Sequence, residues 1–99
     1  MTISDQGGAP TELAQTIASA VTSVRGVADL HGGMFGEAAT YLPGRRIPGV
    51  RLNGADTEIH VSVLFGHPVR ATAEAVRDVV AALVTGPIHV TVEDVIRPR

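Results

Sequence analysis

The chain has no cysteine and no lysine, and only three of its 99 residues are aromatic. Without cysteine, disulfides, thiol catalysis and cysteine-ligated zinc or iron–sulfur sites are excluded. Without lysine, Schiff-base chemistry and a Walker-type phosphate-binding lysine are excluded as well. The apolar runs are also far shorter than the ~20 residues that a membrane-spanning helix requires.

The side chains that are present describe a small folded domain. The sequence is 44% hydrophobic and 18% charged, a balance typical of folded rather than disordered chains. Valine occurs fourteen times and alanine thirteen times, so the core is built from side chains of low volume. Ninety-nine residues suffice for one domain only. The net charge of −2 disfavours a strongly basic nucleic-acid-binding protein.

We predict a flexible N-terminal arm over residues 1–10 and a single α+β domain over residues 11–97. The arm is polar and is interrupted by glycine and proline. It has neither the basic start nor the apolar stretch of a signal peptide. The sequence therefore predicts a cytoplasmic protein, and any association with a membrane would go through a partner.

Two segments have the apolar periodicity of amphipathic helices. The first begins at Thr11, a residue type that caps helices, and ends at Gly26, which can adopt the left-handed C-terminal conformation. The second covers residues 68–85, with Pro68 at its first position. Its predicted apolar stripe consists of Val69, Ala73, Val76, Val80, Leu83 and Val84.

Strand patterns occupy much of the remaining chain. Residues 27–31 and 37–42 have the length and composition of short strands. Asn53-Gly54 is the strongest hairpin signal, and a two-residue turn there would pair Arg51 with Asp56 in a cross-strand ion pair. In that register one face is apolar along the long strand and its neighbour: Ile59, Val61, Val63 and Phe65, with Val50 and Leu52.

The predicted order of elements is α-β-(β)-β-β-α-β. The strand over residues 55–65, the helix after it and the strand over residues 88–96 form a crossover, which makes these two strands parallel. Each helix and each strand has one apolar face. The economical arrangement is a two-layer α+β sandwich, in which a mixed sheet of three to five strands carries both helices on one side.

Two histidines are candidates for a site on the other face of the sheet. His60 and His89 are expected on the polar face of two neighbouring strands, near Glu58 and Glu93. Histidine and carboxylate ligands suit a metal ion, but the spacing is not that of helical zinc motifs. The alternative interpretation is that these are solvent-facing sheet residues, and we predict neither a metal nor a cofactor.

Arg45 and Arg46 form the clearest basic pair, and we place them in a loop between the Pro43-Gly44 and Pro48-Gly49 turns. Arginine binds carboxylates and phosphates through paired hydrogen bonds. The loop is therefore a candidate docking site for an anion or a partner, and solvated surface charge is the alternative interpretation.

Gly33-Met34-Phe35-Gly36 has the spacing of the GxxG loop of KH domains, which joins two helices and clamps a nucleic-acid backbone. The two middle residues here are apolar and the chain is acidic overall. Nucleic-acid binding is therefore the alternative rather than the leading hypothesis. Met34 and Phe35 are expected either to cover the core or to form an exposed contact patch for a partner.

The sequence has none of the residue patterns of common catalytic sites. It has no Gly-x-Ser-x-Gly elbow and no serine with an evident base and acid. Glu93 and Asp94 are adjacent on the last strand, so their side chains are expected on opposite faces, where they could not flank one bond. We therefore predict that the protein is not an enzyme.

A series of short motifs runs through the chain in a fixed order. The motifs are Val24-Arg25-Gly26-Val27-Ala28-Asp29-Leu30-His31-Gly32-Gly33 after the first helix, Gly49-Val50-Arg51, Phe65-Gly66, Val76-Arg77 and Val92-Glu93-Asp94-Val95. In order and spacing they resemble the alkaline-shock-protein family of envelope stress response proteins. The resemblance extends from Thr11 to Val95, and the stretch YLPGRR at 41–46 is similar to the version found in high-GC Gram-positive bacteria.

This resemblance implies a cytoplasmic protein connected with cell-envelope stress that associates with itself or with a membrane-anchor protein. The family has no established catalytic residues to carry over. We expect a non-enzymatic, self-associating or adaptor module held near the membrane by a partner, and a small KH-like nucleic-acid-binding module is the alternative. The candidate partner-binding residues are Met34, Phe35, Arg45, Arg46, His60 and His89.

Overall fold

The computed structural model describes residues 10–98, with side chains from residue 12 onward, as two helices and six strands. The helices are α1 (Pro10–Thr22) and α2 (Val69–Ala81). The strands are β1 (Val27–Leu30), β2 (Ala39–Leu42), β3 (Arg45–Pro48), β4 (Val50–Asn53), β5 (Asp56–Leu64) and β6 (Ile88–Ile96). The predicted α+β order is confirmed, with β3 as an additional strand. The predicted arm lies outside the described residues, except for Pro10, which begins α1.

β5 is the centre of the main sheet. β6 pairs with one edge of β5 in the parallel direction, as the crossover predicts. β1 and β4 are both antiparallel to β5 and lie end to end along its other edge, since β1 pairs with residues 61–63 and β4 with residues 56–59. β2 and β3 form a separate two-stranded hairpin. The main sheet is therefore three strands wide, and every part of it depends on β5.

The core lies between the main sheet and both helices, which confirms the two-layer arrangement. Alternation along β5 puts Ile59, Val61 and Val63 on the helix-covered face, where none of them is exposed. The fully buried side chains that surround them are Ile17, Val21, Val50, Val76 and Val80. Each such burial contributes about 1.5–3 kcal/mol to folding, so this valine-rich layer is the main source of stability.

Three side chains predicted for the core are exposed. β5 ends at Leu64, so the alternation does not continue to Phe65. This residue is 53% exposed, and the Arg97 guanidinium lies 4.3 Å from the centre of its ring. Val69 and Leu83 are exposed because α2 begins at Val69 and ends at Ala81, with Pro68 as its N-cap rather than its first helical residue. Val76 and Val80 of the predicted stripe are buried, and Thr72, which was not predicted, is buried with them.

The hairpin between β4 and β5 turns at Gly54-Ala55 rather than at Asn53-Gly54. A type I′ turn needs positive φ at both central residues, and here Gly54 has a φ of 63° while Asn53 does not have a positive φ. The register therefore pairs Arg51 with Glu58, and the predicted pair of Arg51 with Asp56 is wrong. The shift is by two residues, so the same side chains still share the buried face.

The two adjacent arginines lie on a strand, and the predicted loop is wrong. Pro43-Gly44 closes the β2–β3 hairpin, with Gly44 at a φ of 78°, as the second central position of a type II turn requires. In a two-residue hairpin turn, the residue directly after the turn pairs with the residue directly before it. Arg45 therefore lies opposite Leu42, and Arg46 lies opposite Tyr41.

β6 contains a bulge in its second half. The register with β5 slips between Val61 and Ser62, so that Ser62 pairs with Asp94 and Glu93 is an extra residue. The Glu93 carboxylate bonds His60 on the open face of the sheet, and Asp94 shares that face with Ser62. The prediction that the two acids lie on opposite faces is therefore wrong.

Candidate functional site

The two most exposed large hydrophobic side chains described are Met34 (82%) and Phe35 (87%), at the tip of the loop between β1 and β2. They are the central residues of a turn in which the Gly36 N–H donates to the Gly33 carbonyl at 3.2 Å. Both glycines have positive φ, 84° and 75°, which glycine adopts without strain. Met34 and Phe35 thus form an exposed patch and do not cover the core.

Two side chains fasten this turn. The Gly33 N–H donates to Nδ1 of His31 at 2.9 Å, which gives this histidine the backbone-bonding role common at turns. The Phe35 N–H donates to Oε1 of Glu37 at 3.0 Å. The two apolar side chains are therefore presented by a backbone that is already ordered, so binding a partner would lose little conformational entropy.

The carboxyl of Glu37 is stabilised in its charged form. Its own backbone N–H and, next, the N–H of Phe35 hold the pKa of Glu37 below its ordinary value of 4.5. The charges of His60 and His31 lower the pKa further. Because the folded-state pKa lies below the unfolded-state value, this stabilisation is fully present above pH 4.5 and is lost as the pH falls through the lower folded value.

We expect mild acid to loosen this turn before it affects the core. Between about pH 5 and pH 3 the amide NMR signals of Phe35 and Glu37 should titrate together, with a midpoint below 4.5. Glu37→Gln should abolish that titration, whereas Glu12→Gln on the exposed side of α1 should leave it unchanged. A midpoint at or above 4.5 in the wild type would contradict the hydrogen-bonding pattern.

The β2–β3 hairpin lies directly beside the turn. The Tyr41 hydroxyl donates to the Gly36 carbonyl at 3.3 Å, and Arg46 lies opposite Tyr41 on β3. One guanidinium nitrogen of Arg46 is 3.5 Å from the position that a Cβ would take at Gly32 and 3.6 Å from the equivalent position at Gly36. Tyr41 is itself 69% exposed. The structure thus brings four side chains together as one loop–hairpin surface: Met34, Phe35, Tyr41 and Arg46.

Arg45 does not belong to the loop–hairpin surface. It is exposed, but it shares a face of the hairpin with its partner Leu42, and alternation directs that face away from the one carrying Arg46. The basic pair seen in the sequence is thus divided between two faces. The prediction missed Tyr41, although the position of the Pro43-Gly44 turn would have placed it opposite Arg46.

His60 forms a hydrogen-bonded bridge on the open face of the sheet. Its Nδ1 is 2.6 Å from Oε2 of Glu93, its Nε2 is 3.5 Å from Oε1 of Glu58, and its side chain is 14% exposed. A metal ion bound to a histidine lies in front of one ring nitrogen, and its other ligands must lie on that same side of the ring. Here the two ring nitrogens of His60 face different carboxylates. Within residues 10–98 no group of three or more such ligands is arranged to hold a metal ion.

His89 forms a second bridge between the same two strands. Its Nε2 is 3.3 Å from Oδ2 of Asp56, and both side chains are about half exposed. His60 and His89 do lie on neighbouring strands, as predicted, but each has its own acid from the adjoining strand. Both histidines connect β5 to β6, and neither is part of the loop–hairpin surface.

An open groove of about 720 Å³ lies between the start of α1, the end of α2 and the β4–β5 turn. Its lining comprises Leu13, Leu52, Gly54, Ala55, Thr57, Ala81, Ala82, Leu83, Val84 and Thr85. The volume is in the range of small-molecule sites, but none of these described residues carries an ionisable side chain. The groove therefore offers an apolar surface and two hydroxyls, with no acid, base or activated nucleophile.

Neither helix within residues 10–98 is long and apolar enough to cross a membrane. Comparison of the sequence with protein-family models finds no matching family. Comparisons with curated proteins and with solved structures likewise find no match. The function is therefore inferred from the loop–hairpin surface and from the motifs that contribute to it.

Proposed function

We propose that this chain is a non-enzymatic adaptor of the envelope-stress-response type, which binds a protein partner near the membrane through the loop–hairpin surface and also associates with itself. The observation that carries the proposal is the exposure of Met34 and Phe35 on a turn that hydrogen bonds hold in place. Methionine, phenylalanine, tyrosine and arginine are the residue types enriched in the buried centres of protein interfaces.

The shape and charge of the surface indicate what the partner offers. A protruding turn with two apolar tips fits a recess lined by apolar side chains, and full burial would contribute about 1.5–3 kcal/mol for each tip. Arg46 lies beside the tips and would pair with a carboxylate at the rim of that recess. The partner is therefore a protein with an apolar pocket bordered by an acidic side chain.

The assignment to envelope stress rests on the motifs. Two of the stretches that resemble the alkaline-shock-protein family, residues 24–33 and residues 41–46, include β1, the start of the exposed turn, Tyr41 and Arg46. Part of the resemblance thus falls where the loop–hairpin surface is built, although Met34 and Phe35 themselves lie between the motifs. The apolar groove and the histidine bridges, which carry no reactive constellation, support a role other than catalysis.

Site-specific photo-crosslinking tests the proposal. Phe35 is replaced by p-benzoylphenylalanine in cells grown under envelope stress, and Phe65, the other exposed phenylalanine, is replaced in a matched control. We expect a defined protein adduct from position 35 and none of that mass from position 65. The captured protein is then purified, and its dissociation constant is measured with the unmodified chain.

Variants decide whether the captured protein uses this surface. Met34→Ser with Phe35→Ser should weaken binding about 100-fold, and Arg46→Ala about 10-fold, whereas Arg45→Ala should leave the dissociation constant within about twofold. Equal effects of Arg45→Ala and Arg46→Ala, or no effect of the double serine variant, would contradict the proposal. Binding of anionic vesicles or single-stranded RNA through Met34, Phe35 and Arg46, with no protein adduct, would do so as well.

The KH-like alternative gains no support from the placement of the glycine-rich turn. In KH domains the GxxG loop joins two helices, whereas Gly33 to Gly36 joins β1 to β2. The apolar tips also occupy the positions that would have to approach a phosphate backbone. We therefore retain protein docking as the proposed activity of this loop.

A further inference from the structure

β6 is an edge strand, paired with β5 on one side and with no other strand among residues 10–98. At its start the Thr57 N–H donates to the Pro87 carbonyl at 3.0 Å. In a parallel ladder alternate residues direct both backbone groups to the same side, so the odd-numbered residues from Pro87 face β5. The intervening residues direct their N–H and C=O groups to the free edge: Ile88, Val90 and Val92.

The core is incomplete at this edge. The side chains of Ile88, Val90 and Val92 lie on the helix-covered face, opposite Thr57, Ile59 and Val61 of β5. Those three β5 side chains are buried, whereas their β6 neighbours are only half-buried. A further strand beside β6, with a helix of its own above it, would remove the remaining apolar surface from water.

β6 has few of the features that keep edge strands apart. It is nine residues long, with the sequence IHVTVEDVI, and contains neither lysine nor proline. The bulge at Glu93 interrupts only its second half. The residues from Ile88 to Val92 keep regular strand geometry, and in an antiparallel pair centred on Thr91 those from Val90 to Val92 face only regular residues of a second copy.

The charges on β6 select the direction of a second copy. The first half carries His89, and the second half carries Glu93 and Asp94. A parallel neighbour would align the acids of both copies side by side, whereas an antiparallel neighbour puts the acids of one beside the histidine end of the other. A two-fold axis at Thr91 also pairs Val90 with Val92 of the second copy, and both residues direct their backbone groups to the free edge.

We propose that β6 is a dimerisation edge, at which a second copy of this chain pairs its own β6 antiparallel about a two-fold axis at Thr91. The result is one sheet continuous through both copies, with the helices of both on the same face. This inference deepens the self-association in the proposed function, which it presupposes. It uses a surface separate from the loop–hairpin surface, so the two can fail independently.

A single introduced cysteine tests the register. The chain has no cysteine, so Thr91→Cys can crosslink only to a second copy. At the two-fold axis residue 91 faces itself in a pair without mutual hydrogen bonds, with Cα atoms about 4.5 Å apart, within disulfide range. We expect rapid formation of a covalent dimer of twice 10.3 kDa under mild oxidation. Ser19→Cys, on the exposed side of α1, should crosslink at least about 10-fold more slowly.

A charge at the axis tests the same interface without a crosslink. Thr91→Lys brings two ammonium groups together in the dimer and should raise its dissociation constant at least about 10-fold by light scattering and sedimentation. Thr91→Val should leave dimerisation intact, and circular dichroism should show both variants folded. A wild type that stays monomeric at millimolar concentration, or equal crosslinking rates at positions 91 and 19, would overturn the inference. The photo-crosslinking experiment can be repeated in the Thr91→Lys background with p-benzoylphenylalanine at position 35. An unchanged protein adduct there would show that docking survives loss of the dimer.

Discussion

Gly49→Ala is expected to lower the free energy of unfolding by about 3–5 kcal/mol. That is a large part of the ~5–15 kcal/mol available to a domain of this size. Gly49 lies between β3 and β4, where its N–H donates to the Ala38 carbonyl at 2.7 Å and its carbonyl accepts from the His60 N–H at 2.9 Å. Its backbone is therefore bonded on both sides and cannot relax freely.

The expected loss has two separate causes. Gly49 has a φ of 80°, which a side chain strains. A Cβ there would also lie 2.6 Å from the His60 carbonyl oxygen, 2.8 Å from Cβ of Leu30 and 2.9 Å from the His31 nitrogen. The His60 oxygen and the His31 nitrogen are backbone atoms, one in β5 and one directly after β1. The contact can therefore be relieved only by moving these strands.

Gly44→Ala separates conformational strain from crowding. Gly44 has a nearly equal φ of 78°, but a Cβ there would meet nothing within 4 Å. Gly44→Ala should therefore lower the free energy of unfolding by only about 1–2 kcal/mol, because only the backbone conformation is strained. Chemical denaturation of both variants measures the difference, and equal losses would show that the close approach around Gly49 has no energetic weight.

Ile59→Ala is expected to lower the free energy of unfolding by about 3–4 kcal/mol. Ile59 is fully buried at the middle of β5, with Val50 opposite it on β4 and Val90 opposite it on β6. Removing three carbons there leaves a cavity between strands that are fixed on both sides. The surroundings can collapse only partly, so the lost contacts add to the lost hydrophobic transfer energy.

Ile96→Ala makes the same chemical change at the end of β6. Ile96 is 40% exposed, so its truncation removes less buried surface and leaves no enclosed cavity, and the expected loss is below about 1.5 kcal/mol. Denaturant titration gives both values, and the dependence of the free energy on denaturant should be the same for the two variants. A loss at Ile96 as large as that at Ile59 would contradict the placement of the core.

Local patterns predicted the parts of the fold that depend on local chemistry. The period of two along β5 identified Ile59, Val61 and Val63 as buried because alternation is a property of any extended strand. The parallel direction of β6 followed from the intervening helix. Pro43-Gly44 identified a turn because proline fixes one φ and glycine permits the next.

The errors arose where long-range contacts decide the geometry. The bulge at Glu93 cannot be read from alternation, because the extra residue is defined by its pairing with β5 and its contact with His60. The division of Arg45 from Arg46 required the register of β3, a strand not expected there. Three of the four residues of the loop–hairpin surface were predicted, namely Met34, Phe35 and Arg46, and Tyr41 was missed. Whether Met34 and Phe35 cover the core or form an exposed patch could be decided only by the fold.

β1 and β4 share one edge of β5, and this arrangement determines where the chain can accept insertions and deletions. His31 donates to the His60 carbonyl, and the His60 N–H donates to Gly49, so the chain leaves and re-enters the sheet at one residue. The intervening segment, residues 32–48, carries the whole loop–hairpin surface. Its tip can be lengthened, shortened or exchanged between related chains without altering the register of either strand. Under the proposed docking function, partner specificity could therefore change in evolution while the pairing of β1 and β4 with β5 is kept.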